Sequence, residues 1–285
     1  MALYDLKKLL SENTYPGRGI VIGKSADGKR AMIAYFIMGR SSNSRNRVFE
    51  EFDGGMRTRA FDESKLEYPS LIMYNPFRIK GNCDIITNGD QTDTIYNFIC
   101  DGKSFEDALM TREFEPDCPN YTPRVSGMTD YDFDGASFTY KMSILKSRNG
   151  DGSVCNRYFY NYCAVDGIGH FIHTYKCDGN PIPSFYGEPE EIELPNTAEE
   201  LAALCWENLN EDNKVSLFVR TVELDGGEAV TDIGTRAYWY AARGEMINFC
   251  AGYSVAVTVT DASVANTYGL CHAVVKTIQN NLTAQ

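Results

Sequence analysis

Apolar residues occur along the chain in short runs separated by polar, glycine-containing turns, a pattern that predicts β-strands. The runs 19–23 (GIVIG) and 31–38 (AMIAYFIM) flank the turn Ala26-Asp27-Gly28-Lys29. Because Asp-Gly between apolar runs is a strong hairpin signal, we expect these two strands to pair. Aromatic and β-branched residues predict further strands at 71–74, 83–87, 124–128, 137–145, 158–163, 171–175 and 215–222.

Helices are predicted between these strands, at 2–12, 92–100, 104–113 and 197–209. Ser104 stands where an N-cap is needed, and Glu106 and Asp107 occupy the first turn, where the helix dipole favours negative charge. A charged, proline-containing connector, residues 186–196, precedes the last helix. Helices grouped between runs of antiparallel strands predict an α+β layered sandwich instead of a βαβ repeat.

Size, charge and cysteine content narrow the class of protein. With 285 residues, of which 43% are hydrophobic, the chain can bury a large core. A formal net charge of −12 disfavours binding to nucleic acid, which depends on clustered Lys and Arg. Scattered cysteines without a CxxC pair indicate reduced thiols, and no apolar run is long enough to span a membrane. We therefore expect a cytoplasmic protein that binds neither nucleic acid nor a membrane.

An arginine-rich loop, residues 39–47 (GRSSNSRNR), directly follows the apolar run 31–38. Its arginines are interleaved with Ser and Asn in an acidic protein. Guanidinium groups donate paired hydrogen bonds to phosphate, so the loop predicts an anion site. The alternative is a solvated loop, which composition alone favours.

A second polar cluster, residues 87–95 (TNGDQTDTI), follows the run 83–87. Alternating oxygen donors are typical of calcium loops, but the spacing lacks the glycine and the glutamate that an EF-hand needs. Asn88-Gly89 can form a turn, and Asp90 or Thr92 can cap the next helix. A metal loop, a helix cap and part of an active site are three open interpretations of this stretch.

A third cluster, residues 113–124 (EFEPDCPNYTPR), combines prolines with carboxylates, a phenol and an arginine. The prolines rigidify the segment, which suits fixed positioning of polar groups. Rigid loops also occur without function. His170 and His173 lack the i, i+4 spacing of a helical metal pair, so we interpret them as structural.

Taken in order, these clusters resemble the archaeal-type IMP cyclohydrolases and their bacterial relatives. The residues that carry the resemblance are Gly17-Arg18, Gly23, Ala34-Tyr35, Arg40-Ser41, Asn46-Arg47, Tyr74-Asn75, Arg78, Asn88-Gly89, Thr92-Asp93, Tyr121-Thr122-Pro123-Arg124 and Thr174-Tyr175. Each motif is short, but their order over residues 15–180 argues against coincidence. The arginine loop is longer than in archaeal members, which leaves open whether Arg45 or Arg47 faces a ligand.

The resemblance implies a four-layer αββα sandwich similar to the N-terminal nucleophile hydrolases, without self-processing. The opening Met1-Ala2-Leu3 agrees, because it offers no Cys, Ser or Thr nucleophile. We expect an IMP cyclohydrolase-like domain at 1–225. Residues 226–285 match nothing in the family and are expected to be a C-terminal extension of unknown role, packed on the same domain. Since family members associate, a homo-oligomer is expected.

The reaction implied by the resemblance closes the purine ring of 5-formamidoimidazole-4-carboxamide ribotide to give inosine monophosphate and water. It makes the protein a cyclohydrolase acting on a cyclic amidine C–N bond, with a purine ribotide as its small-molecule partner. No metal and no organic cofactor are required. Two alternatives are a purine-ribotide-binding protein without turnover and an amidohydrolase of related fold.

Site residues follow from the matching motifs. Substrate binding is expected from Arg18, Arg40, Arg47, Asn75, Asn88, Asp90, Thr92 and Asp93. The arginines would hold the phosphate and the developing negative charge, the Asn88 amide would hold the base or formyl oxygen, and the acidic loop would fix the ribose. Catalysis is expected from Glu115, Asp117, Tyr121, Tyr74 and Arg124. Either carboxylate would accept the proton, the phenols would donate near the oxyanion, and the arginine would orient a carboxylate.

Overall fold

The computed structural model describes residues 3–52, 54–60, 63–65 and 73–225, and the backbone of three strands within 238–258. The helices in this part of the chain are α1 Leu6–Glu12, α2 Ser42–Arg45, α3 Gln91–Cys100, α4 Phe105–Met110 and α5 Ala198–Asn208, with a 3₁₀ turn at Glu63–Lys65. The strands before the tail are β1 Arg18–Lys24, β2 Arg30–Met38, β3 Val48–Phe52, β4 Gly55–Arg59, β5 Phe77–Lys80, β6 Cys83–Thr87, β7 Arg124–Asp132, β8 Ser137–Ser147, β9 Cys155–Cys163, β10 Ile168–His173, β11 Glu190–Glu193 and β12 Lys214–Glu223.

These strands form two antiparallel sheets. One has five strands in the order β11-β10-β1-β2-β12, and the other has seven in the order β3-β4-β5-β6-β7-β8-β9. The first predicted hairpin is confirmed: β1 and β2 pair with Ile20 opposite Tyr35. Gly28 in its turn has φ 72°, a left-handed conformation that favours glycine.

An apolar core lies between the two sheets. Ile20, Tyr35 and Phe218 of the five-stranded sheet belong to the same buried cluster as Ile86 and Met142 of the seven-stranded sheet. Burial of each large apolar side chain stabilises the fold by roughly 1.5–3 kcal/mol. Contact across this core holds the two sheets face to face.

Helices pack on the other face of each sheet. Leu6 of α1 and Leu201 of α5 pack with Phe36 of β2, while Ile95 of α3 and Phe105 of α4 pack with residues of the seven-stranded sheet. Capping boxes at Ser104 and Thr197 begin α4 and α5. The protein is thus an α+β structure built on antiparallel sheets, as the sequence pattern predicted. No helix in the described residues has the length and apolar character needed to cross a membrane.

The structure differs from the predicted strands in three places. The hairpin β3–β4 lies in the polar, arginine-rich stretch where no strand was expected, and β11 lies inside the connector 186–196. Of the strand predicted at 71–74, residues 71 and 72 lie outside the described residues, and Met73 and Tyr74 are not in a strand. Exposed polar residues in the edge strands β3 and β11, and exposed arginines in β4, explain why the apolar pattern missed these strands.

The C-terminal extension falls largely outside the described residues. Three strands in it, Tyr238–Tyr240, Glu245–Cys250 and Tyr253–Thr258, form a separate antiparallel sheet. The expectation that residues 226–285 pack on the first domain therefore lies outside what the structure describes.

A buried ion pair joins the two sheets through the core. Asp84 of β6 and Arg220 of β12 are almost completely buried, with Arg220 Nε 2.7 Å from Asp84 Oδ2. The Tyr131 hydroxyl donates to the same carboxylate oxygen at 2.8 Å, and the guanidinium lies over the Phe77 ring. Because this contact is almost completely buried, losing Asp84 removes a carboxylate with which the Arg220 charge pairs inside the core.

We predict that Asp84→Asn lowers the free energy of unfolding by about 3–5 kcal/mol, because it removes the charged partner from a buried ion pair. A urea titration followed by circular dichroism measures the loss. The matched control is Glu12→Gln, which breaks the solvent-exposed pair with Lys8, where both side chains are 67% exposed, and should change the unfolding free energy by less than about 1 kcal/mol. Equal effects of the two variants would contradict the prediction.

Candidate active site

A cavity of about 360 Å³ lies at one end of the two sheets. The segments around it precede β1, β3, β5 and β7 or follow β2, β6 and β10. Its wall consists of Tyr15, Arg18, Arg40, Ser41, Asn43, Ser44, Arg47, Tyr74, Asn88, Gly89, Asp90, Glu115, Asp117, Asn120, Thr122, Tyr175 and Ile182. The volume is in the range of small-molecule sites.

The cavity brings together residues from all three predicted clusters. The predicted site residues on its wall are Arg18, Arg40, Arg47, Tyr74, Asn88, Asp90, Glu115 and Asp117. Arg124 lies directly behind the wall, within 2.9 Å of Glu115. Asn75, Thr92, Asp93 and Tyr121 do not line the cavity.

Asn75, Asp93 and Thr92 fix the first turn of α3. Asn75 donates to both carboxylate oxygens of Asp93, and Arg78 donates to one of them at 2.8 Å. The Thr92 hydroxyl lies 2.7 Å from that of Thr87. These groups are therefore occupied with one another, which differs from the predicted contact with substrate.

Tyr121 also lies outside the wall. It has φ 42°, a conformation that non-glycine residues rarely adopt, and its ring packs edge-on against Phe114. The structure does not bring this phenol to the cavity wall, and its donor role stays a prediction. Tyr74 does line the cavity, and its hydroxyl lies 2.9 Å from that of Tyr35.

Two arginines, Arg18 and Arg47, give the inner part of the cavity its positive charge. Arg47 is 5% exposed, and its Nε has no hydrogen-bond partner among the described residues. Burial, with the charge of Arg18 nearby, lowers the pKa of Arg47. Burial would also lower the pKa of Arg18, but surrounding tyrosine hydroxyls outweigh it and raise the pKa. Within the part of the chain that the structure describes, no carboxylate is in ion-pair contact with either guanidinium, so the pair suits an anion.

Arg40 lies at the rim and differs from the inner pair. It forms an ion pair with Asp178, with both side chains more than a third exposed, and its guanidinium lies 5.0 Å from the centre of the Tyr15 ring. Arg45 donates to the backbone carbonyl of Gly39. Between Arg45 and Arg47, it is Arg47 that lines the cavity.

The turn Asn88-Gly89-Asp90 forms the opposite wall. Asn88 Oδ1 accepts from Val125 N at 2.9 Å and from Gln91 Nε2 at 3.0 Å, and Nδ2 donates to Pro123 O. One amide N–H therefore remains for a ligand. A Cβ on Gly89 would lie 2.7 Å from an Arg124 nitrogen, so only glycine fits this turn without displacing the arginine.

Two arginines hold Asp90. This contact helps to decide whether residues 87–95 are a metal loop, a helix cap or part of an active site. Arg112 and Arg124 both donate to Asp90 Oδ1. Asp90 occupies the N-cap position of α3, but its side chain makes no capping hydrogen bond. Among the described residues, no three His, Cys, Asp or Glu side chains are grouped to hold a metal ion. The stretch thus contributes to the cavity wall.

Glu115 is a largely buried carboxylate of the site, with 17% of its side chain exposed. Burial raises its pKa, and the neighbouring charges of Asp90 and Asp117 add to this, while Arg124 and Arg18 act in the opposite direction. Arg124 Nη1 lies 2.9 Å from Glu115 Oε1. A carboxyl group with a raised pKa and a fixed orientation is suited to proton transfer near neutral pH.

Several wall residues were absent from the predicted site. The main ones are Tyr15, Thr122 and Tyr175, which connect through a Tyr15–Tyr175 ring stack at 5.7 Å and a Thr122–Tyr175 hydrogen bond. Thr122 and Tyr175 belong to motifs that carry the family resemblance, and these motifs could have identified them as site residues. Tyr15 belongs to no motif, and its sequence neighbours do not indicate a ligand.

Comparison with known proteins identifies related sequences. The model of a family described as IMP cyclohydrolase-like protein matches residues 15–227. The IMP cyclohydrolase of Methanosphaera stadtmanae is 33% identical over 117 residues, which cover 40% of this chain and 56% of that protein. The chain thus spans little more than half of that relative's length.

Two other relatives are covered more completely. The IMP cyclohydrolase of Methanococcus aeolicus is 32% identical over 57% of this chain and 75% of its own length. The IMP cyclohydrolase of Methanococcus maripaludis is 28% identical over 65% of this chain and 92% of its own length. All three relatives are named IMP cyclohydrolase.

We predict that inorganic phosphate raises the thermal unfolding midpoint of the protein, because a dianion bound at Arg47 stabilises the folded state. Binding at a hundredfold excess over Kd would add about 2.7 kcal/mol. Arg47→Met retains an unbranched, flexible side chain but removes the charge, so it should abolish most of the effect. Scanning fluorimetry with and without phosphate measures the shift.

Chloride at equal ionic strength controls for screening. Arg57→Met controls for loss of an arginine, since Arg57 is 55% exposed and pairs with Glu50. If Arg47→Met responds to phosphate as strongly as the wild-type protein does, the buried arginines do not form the anion site.

Proposed function

Because the chain belongs to the IMP cyclohydrolase-like protein family, we propose that it closes the purine ring of 5-formamidoimidazole-4-carboxamide ribotide to give inosine monophosphate and water. One observation carries the proposal beyond family membership. A single cavity combines buried cations that lack carboxylate partners among the described residues with a buried carboxyl group whose pKa is raised. A ribotide has a matching polarity, with phosphate at one end and neutral amides at the other.

The phosphate is proposed to bind at the arginine loop. Arg18 lines the same cavity and is near enough to influence the pKa of Arg47 and also that of Glu115. Arg47 and the rim residue Arg40 would then bind the phosphate, as bidentate donors can. Arg18 would face the reacting end, where negative charge develops on the formyl oxygen.

Ring closure joins two groups of one molecule, so no covalent enzyme intermediate is needed. The carboxamide nitrogen attacks the formyl carbon and loses a proton, while the formyl oxygen gains one. We assign the second transfer to Glu115, because burial keeps part of this carboxyl protonated at a higher pH than usual. Arg124 holds Glu115 in place, and the cavity walls select the reactive rotamer of the formyl group.

The same proposal extends to the architecture and setting of the protein. Two face-to-face sheets with helices on their outer faces are consistent with an αββα sandwich of the N-terminal nucleophile hydrolase type. We propose a cyclohydrolase-like domain at 1–225, followed by an extension at 226–285. A homo-oligomer acting in the cytoplasm completes the proposal, by analogy with the family.

The test of the function is a turnover assay with the formamido ribotide and the purified chain, without added metal. We predict that inosine monophosphate accumulates, seen by absorbance and identified by chromatography. Binding of the ribotide without conversion would favour a binding protein. Release of an amide hydrolysis product would favour an amidohydrolase.

We predict that Glu115→Gln lowers kcat by a factor of about 10²–10⁴, the usual contribution of a positioned proton-transfer group. The amide keeps the size and polar contacts of the side chain, so KM should change little. The protonated form of Glu115 is lost as pH rises through its raised pKa, so the wild-type rate should fall over this pH range. The variant has no carboxyl group at this position, so its rate should not show this fall. A pH series of initial rates measures both.

Glu113→Gln is the matched control, because this carboxylate belongs to the same loop but is 68% exposed and absent from the cavity wall. It should retain wild-type kcat. Full activity of Glu115→Gln would remove this carboxyl from the mechanism.

A further inference from the structure

We infer that Tyr175, Thr122 and Asp117 form a proton relay that accepts the proton from the attacking carboxamide nitrogen. The inference rests on the proposed function and adds three residues to its chemistry. Thr122 and Asp117 lie on the loop before β7, Tyr175 follows β10, and all three line the cavity.

The direction of each hydrogen bond follows from the terminal carboxylate. Asp117 accepts from the Thr122 backbone N–H at 2.6 Å and from the Thr122 hydroxyl at 2.5 Å. An ionised carboxylate can only accept, so the Thr122 hydroxyl hydrogen points to Asp117. The Thr122 oxygen, 2.5 Å from the Tyr175 hydroxyl, must therefore accept the hydrogen of Tyr175.

This arrangement makes the Tyr175 oxygen an acceptor towards the cavity. Its only hydrogen is engaged by Thr122, so its remaining lone pairs can receive an N–H or O–H from a ligand. The ring is held by stacking on Tyr15 with an interplanar angle of 16°. Burial raises the pKa of Tyr175 to about 12, so the phenol is neutral at physiological pH and transmits a proton instead of storing one.

The proposed step conserves atoms and charge. As the nitrogen lone pair forms the N–C bond, the N–H proton passes to Tyr175, the Tyr175 proton passes to Thr122, and the Thr122 proton passes to Asp117. Glu115 gives its proton to the formyl oxygen. In the loss of water, Glu115 takes the N–H proton of the former formamide nitrogen, whose electron pair forms the C=N bond as the C–O bond breaks. The relay returns its proton to the departing hydroxyl, so both carboxyl groups regain their starting states.

Two carboxyl groups in different surroundings take the roles of proton donor and proton acceptor. Glu115 is buried beside other acidic residues, which favours its protonated form. Asp117 accepts two hydrogen bonds from Thr122 and so stands at the accepting end of the chain. A proton donor and a proton acceptor that line one cavity are what a double proton transfer requires.

Steady-state kinetics of Thr122→Val, Thr122→Ser, Tyr175→Phe and the Val/Phe double variant test the relay. Loss of either hydroxyl should lower kcat by about a hundredfold with little change in KM, and the double variant should be no slower than the single ones, because the chain acts as one unit. Thr122→Ser retains the hydroxyl and should recover most of the rate. Tyr175→Phe retains the ring that stacks on Tyr15, so packing is preserved.

A proton inventory separates a relay from a structural role. In the wild-type protein, a plot of kcat against the fraction of heavy water should be curved, because several protons move together. In Thr122→Val the same plot should be linear. Additive losses, unchanged kcat in Thr122→Val, or Thr122→Ser as slow as Thr122→Val would each overturn the relay while leaving the function intact. Absence of turnover in the wild-type protein would overturn both.

Discussion

Face-to-face packing of two antiparallel sheets determines where polar groups can lie in this protein. The space between the sheets is filled by apolar side chains such as Ile20, Tyr35 and Met142, so ligands are excluded from most of it. At one end, the segments before β1, β3 and β7 and after β2, β6 and β10 come together. Segments far apart in sequence therefore converge on one cavity, and the rigid sheets fix their separation.

The charged groups inside this frame fall into two kinds. Asp84 and Arg220 compensate each other across the core, and the Tyr131 hydroxyl completes their hydrogen bonding. Arg18 and Arg47 lie close enough to repel, since the charge of Arg18 lowers the pKa of Arg47. Buried like charges are costly unless something else compensates them. The first pair stabilises the fold, whereas the second is best explained by an anion that the protein itself does not supply.

The sequence predicts the sheets better than it predicts the site. Apolar runs located β1, β2, β6, β7 and β8 because their inward faces are continuous, whereas β3 and β11 carry exposed polar residues that hide the pattern. Motif order located the loops around the cavity but not the direction of each side chain. Thr92 and Tyr121 stand in matching motifs yet do not face the cavity. The direction of a side chain depends on the residues that pack against it, such as Phe114 beside Tyr121. Local sequence patterns do not show these packing contacts.

Hydrogen-bond accounting distinguishes polar groups that build the cavity from those that can act in it. Asn88 uses three of its four hydrogen-bonding positions on the protein, and Asp90 is held by two arginines. The Nε of Arg47 has no partner, and the Tyr175 oxygen retains lone pairs after its hydrogen is engaged by Thr122. Buried polar groups are normally satisfied, so these exceptions have a physical cost that a bound ligand can offset. The unpaired groups, more than the motifs as a whole, therefore define the shape and charge of the molecule that the cavity accepts.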